Sequence, residues 1–210
     1  MICLTDNDII LKLAYCDLLS EAITAWGITL SDVFVLNSAV HVLLRPQKPG
    51  KGKVKPSEPE YERLRAFFDV VRLIDIAPPV DEQLAFNDVM GIDPGEAILF
   101  SAMGVYADCI LATSDKRSLI SLCRAGGEVC GRVRNRLKGR VVCFEQTILR
   151  TIDHVGFAPV LAKVVPARHC DTALRALFGS GLSATESGVR EGLSSYIDDL
   201  RRQTLDILVR

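Results

Sequence analysis

With 210 residues, 49% of them hydrophobic and 24% charged, the chain can bury a proper core and has none of the charge excess of a disordered segment. A formal net charge of −1 excludes a uniformly basic nucleic-acid binder and leaves only local patches for that role. No apolar run approaches the roughly 18 residues of a membrane span, Asp6 comes too early for a targeting segment, and seven cysteines without CxxC spacing read as reduced thiols of a cytoplasmic protein.

Ile2 to Thr5 is a short apolar run, followed by Asp6-Asn7-Asp8 and a helical pattern through Leu19, which Asp6 or Asp8 would cap. Val33 to Leu36 is a second apolar run, and Asn37 or Ser38 opens the following AVHVLLR helix. Pro46, Pro49, Gly50, Gly52 and Pro56 then mark a loop. Glu58 to Val71 is amphipathic, with Tyr61, Leu64, Phe67, Phe68 and Val71 near one face. Leu73 to Ala77 is a strand candidate stopped by Pro78-Pro79, and Asp81 opens a helix that Gly91 ends.

Asp93-Pro94-Gly95-Glu96 starts the next helix, apolar nearly all round and therefore expected to be buried. Cys109 to Thr113 is predicted as a strand, Lys116 to Arg124 as a helix, and Val141 to Phe144 as the last strand before a helix from about Gln146. After Gly156 the pattern is helical only, and Val189, Leu193, Ile197, Leu200 and Leu205 recur at helical spacing. Short apolar strands alternating with helices imply parallel pairing through right-handed crossovers. The expected fold is a three-layer α/β sandwich with a four- or five-stranded parallel sheet over residues 1–157, carrying a helical extension over residues 158–210.

Three acids stand out: Asp6 closes the first strand, Asp115 follows the fourth, and Glu96 lies in the first turn of the buried helix. In a parallel sheet, ligands gather beyond the carboxyl ends of the strands, so these acids would face one edge. Oxygen-only ligation without a His or Cys cluster selects a hard ion, Mg²⁺ or Mn²⁺. Such an ion activates water for attack on a phosphodiester. The competing reading is three ordinary helix caps, each stabilising its helix by about 0.3–1 kcal/mol.

Asp6 at the end of the first strand, the DPGEAILFSA helix start and the DCILATSDKRSL segment resemble the PIN-domain family of metal-dependent ribonucleases. They are closest in character to the single-domain toxins of bacterial toxin–antitoxin pairs. The resemblance covers roughly residues 1–157. It implies a cluster of acids binding Mg²⁺ or Mn²⁺, with Asp6, Glu96 and Asp115 as the ligands and catalytic residues. It also implies RNA as substrate, with a cognate antitoxin or other protein, or a second copy of the chain, as candidate partners. The chain departs from the family where the helix after the second strand carries His41 and Leu43 in place of an acid. It departs again where Lys116 and Arg117 follow Asp115; Asp8 and Asp93 are the candidate substitutes. A catalytically degenerate PIN-like module that binds nucleic acid or a protein partner is the alternative.

Two basic runs are candidate phosphate-binding segments. One spans Arg45 to Lys55 with Lys48, Lys51 and Lys53; the other comprises Arg132, Arg134, Arg136, Lys138 and Arg140, which would share one face if extended. Arg117 joins them as a phosphate ligand. Either run also fits a solvated surface segment. His41, His154 and His169 are isolated, no Ser or Cys can be given a His base, and Trp26 reads as core.

Overall fold

The computed structural model describes residues 1–45 and 56–210, and of Ile2 the backbone only. Five short strands, β1 (Ile2–Thr5), β2 (Val33–Leu36), β3 (Arg72–Ile74), β4 (Cys109–Thr113) and β5 (Val141–Cys143), form one all-parallel sheet in the order β3-β2-β1-β4-β5. The central strands are apolar throughout because both sheet faces are covered. Every residue of β4 and β5 is buried.

Helices α1 (Asn7–Tyr15), α2 (Leu19–Thr24), α3 (Ala39–Leu43) and α4 (Glu58–Phe68) lie in the connections among β1, β2 and β3. The β3-to-β4 connection holds α5 (Val80–Asn87) and α6 (Pro94–Val105), and α7 (Lys116–Arg124) and α8 (Glu128–Leu137) lead to β5. Right-handed crossovers put the first group on one sheet face and the second on the other. The packing agrees: α1 touches α2, α3 and α4, while α5, α6 and α8 touch one another. The layering is compatible with a three-layer sandwich.

The order of the strands reverses between β1 and β4, so the connections leaving these neighbours run to opposite faces. That leaves a crevice at their carboxyl ends, where open α/β sheets bind ligands. Thr5 is paired with Ala112, which brings Asp6 and the segment after Thr113 side by side.

After β5 come α9 (Phe144–Val155), α10 (Phe157–Ala167), α11 (Thr172–Leu177) and α12 (Glu186–Thr204). Their apolar faces belong to the same core as the sheet: Val160, Val164, Leu174, Phe178, Leu193 and Ile197 are buried within it. Val189, Leu193, Ile197 and Leu200 line the inner face of α12 as their spacing predicts, but Leu205 is 68% exposed. Leu205 has a φ of 56°, which ends the helix and turns the chain toward β5. There Arg140 and Val141 donate to the Ile207 carbonyl and Val209 donates to the Val141 carbonyl, closing that sheet edge.

Several elements differ from the sequence expectation. The helical pattern expected to run through Leu19 breaks after Tyr15, where Asp17 takes a φ of 52°, and a new helix, α2, starts at Leu19. The edge strand β3 stops at Ile74, before the two prolines. Helix α9 begins at Phe144, directly after β5, because Gln146 reaches back to accept from the Cys143 N–H at 3.1 Å and seals its first turn. Of the second basic run, Arg132, Arg134 and Arg136 lie on helix α8, interleaved with Cys130, Val133 and Leu137, which are buried at i, i+3 and i+7, while Lys138 and Arg140 follow the helix. The period-two spacing of Arg132, Arg134 and Arg136 therefore sets no common face. The seven cysteines are unbridged. Among the described residues, no helix is long and apolar enough to cross a membrane.

Candidate active site

Asp6 is the N-cap of α1 and 7% exposed. Its Oδ1 accepts from the Ile9 N–H at 2.7 Å, while Oδ2 accepts from the Thr113 hydroxyl and from the Ser114 N–H at 2.9 Å. Burial pushes its carboxyl above the ordinary carboxylate value, and these three donors and then the charge of Asp8 pull in opposite directions on the remainder. The Thr113 hydroxyl also accepts from the Asp115 N–H at 3.0 Å, so one side chain ties the first acid to the fourth strand.

Asp115 caps α7, its Oδ1 accepting from Arg117 N at 2.8 Å and Ser118 N at 3.1 Å. Glu96 and Asp93 form a reciprocal capping box on α6: the Asp93 N–H donates to Glu96 Oε2 at 2.7 Å, and the Glu96 N–H to Asp93 Oδ1 at 2.9 Å. Asp8 accepts from the Ser114 hydroxyl at 2.6 Å and pairs with Lys12 at 2.8 Å. The capping reading thus holds for Asp6, Glu96 and Asp115 alike.

The same acids also meet. Asp6, Asp8, Asp93, Glu96 and Asp115 line a single cleft of about 270 Å³ at the β1–β4 reversal. Burial, first, pushes Glu96 up to about 8; the Asp93 N–H opposes this, and a hydrogen bond with Asp115 and the charges of Asp93 and Asp115 add to it. Carboxyl groups brought together in this way crowd negative charge into a space that a cation would neutralise.

The donor set fits a hard divalent cation in kind, being oxygen only. Asn7 also lines the cleft, and its Oδ1 is buried without a hydrogen-bond partner among the described residues. In arrangement, however, no group of three His, Cys, Asp or Glu among the described residues is gathered to hold one ion.

The basic candidates divide. Arg117 projects from the first turn of α7 with its side chain 90% exposed, one nitrogen 3.8 Å from Asp115 Oδ2. Lys48, Lys51 and Lys53 lie outside the described residues, as does Lys55. The α8 arginines are held by the protein itself. Arg132 pairs with Asp81, Arg134 donates to the Leu122 and Ala125 carbonyls, and Arg136 donates to the buried Glu82 at 2.7 Å. Arg140 donates to the carbonyls of Met103, Tyr106, Ala107 and Cys109.

Thr113, Ser114 and Asn7 were not singled out by sequence reasoning. Their signal was present, in hydroxyl and amide side chains flanking strand-end acids, yet it is indistinguishable there from ordinary turn chemistry. Compared with known proteins, the chain matches no family model, no curated protein and no solved structure, so its function has to be read from its own residues.

Proposed function

We propose that the protein is a PIN-like ribonuclease, hydrolysing RNA phosphodiester bonds at the acidic cleft with Mg²⁺ or Mn²⁺. The observation that carries the reading is the convergence of five acids, from three separate segments, on one crevice at the sheet's reversal point. Asp6, Glu96 and Asp115 would hold the ion, with Asp8 and Asp93 beside them. When bound, such an ion lowers the pKa of a coordinated water and offsets charge on the phosphoryl oxygens. The chain's own residues orient and bind: Thr113 and Ser114 fix Asp6, Asp93 fixes Glu96, and Arg117 presents its guanidinium to phosphate at the rim.

The test is cleavage of single-stranded RNA by the purified protein in Mn²⁺ or Mg²⁺, against chelator and against Asp115→Asn. Metal-dependent cleavage that falls at least a hundredfold in the variant is expected. Cleavage in chelator, or an Asp115→Asn variant as active as the parent, would sink the assignment.

One observation favours a second reading, a binding module without metal chemistry. Both oxygens of Asp6 are satisfied by protein donors, and the acids are not gathered round one point. Calorimetric titration with Mn²⁺ separates the two, since the module takes up no metal even at millimolar concentration.

A further inference from the structure

Beside the acidic cleft lies a second cavity, of about 480 Å³, walled on one side by α1 and the start of α7 and on the other by α9, α11 and α12. It shares Asp8 and Asp115 with the cleft, so the two lie side by side. Its volume lies within the usual range for small-molecule sites, roughly 300–1,000 Å³.

Most of its charges are already committed. Lys12, 14% exposed, bridges Asp8 at 2.8 Å and Asp171 at 2.9 Å, and Lys116 pairs with the buried Glu145. Two features point to a ligand instead. Arg117 lines the cavity and leaves its guanidinium in solvent. Tyr196, on α12, lines the cavity, with the Lys116 ammonium over its ring 5.0 Å from the centroid. An aromatic ring and an exposed guanidinium lining one cavity match the base and the phosphate of a nucleotide.

We propose that this cavity seats the nucleotide next to the phosphodiester bound at the cleft, with its base against Tyr196 and its phosphate on Arg117. The identity of that nucleotide as part of an RNA strand rests on the ribonuclease reading; the cavity's capacity for a nucleoside monophosphate does not. It gives α12 a role in substrate binding, through Tyr196.

The experiment is calorimetric titration of the full chain, in chelator, with adenosine monophosphate and separately with inorganic phosphate. The nucleotide should bind more tightly than phosphate. Tyr196→Ala should weaken nucleotide binding roughly 5- to 150-fold, the span of one lost base stack, and leave phosphate binding as it was. Tyr196→Phe should restore it, and Arg117→Gln, at an exposed position, should weaken both ligands. Equal affinity for nucleotide and phosphate, absence of nucleotide binding, or nucleotide affinity unchanged in Tyr196→Ala would each overturn the proposal. The two readings fail separately: nucleotide binding that needs Tyr196 without RNA cleavage removes the nuclease, and Mn²⁺-dependent cleavage with Tyr196-independent binding removes the cavity.

Discussion

Glu96 stands where two demands meet. As the third residue of a capping box it must accept the Asp93 N–H, and as a wall of the cleft it must sit beside Asp115. Burial holds its proton on up to about pH 8, whereas in the unfolded chain the group ionises near its ordinary value of 4.5. Between those limits the folded state binds more protons than the unfolded state, so stability falls as pH rises from about 4.5 to about 8 and levels off above. Thermal melts in chelator should therefore show the parent losing ground to Glu96→Gln across that window, because glutamine keeps the capping acceptor without the ionisation. Parallel melting curves for the two proteins from pH 5 to 9 would refute the shift. At this scale the placement of Asp6, Glu96 and Asp115 at strand ends and helix starts was legible in the sequence. Their hydrogen-bonding partners were not, because Thr113 lies 107 residues from Asp6 and only strand pairing brings them together.

Helix α8 shows how an element can be hidden by its own charges. Its buried stripe, Cys130, Val133 and Leu137, is thin, and the arginines between imitate the alternation of a strand. What fixes it is a polar network legible only in three dimensions. Glu82 on α5, 1% exposed, accepts from Arg136 of α8 at 2.7 and 3.2 Å and from Ser101 of α6 at 2.8 Å. Three helices on one sheet face are thus pinned through a single carboxylate. Removing the arginine strands a buried charge, which typically costs about 3–5 kcal/mol. Arg136→Ala should lower the urea midpoint accordingly. The double variant Glu82→Gln/Arg136→Met should recover much of the loss, since no charge is then left unpaired. A loss below about 1 kcal/mol in the single variant would place Arg136 among surface ion pairs, whose usual worth is that small.

Across the whole molecule, the sheet and the C-terminal helices share one core, and the boundary near residue 157 separates patterns of secondary structure rather than packing units. The strand runs β1, β2 and β4 were readable end to end because each is a short, unbroken apolar segment. The closure of β5 by residues 206–209 was not, because a four-residue pairing carries no periodicity to detect. That closure joins the last part of the chain to the sheet and, through α12, holds Tyr196 over the second cavity. Ile207 and Leu208 are 1% and 4% exposed, and the Val209 N–H donates to the Val141 carbonyl at 2.8 Å. Ile207→Ala should destabilise by about 2–5 kcal/mol through the cavity it leaves. Val209→Pro deletes the donor and should cost about 1–3 kcal/mol as an unsatisfied buried carbonyl. If the segment acts as an edge cover, both variants should also self-associate as they destabilise, because an uncovered β5 edge is a template for pairing with another chain. Light scattering on partly destabilised samples checks this: equal loss of stability with no rise in association would make residues 206–209 a packing element only.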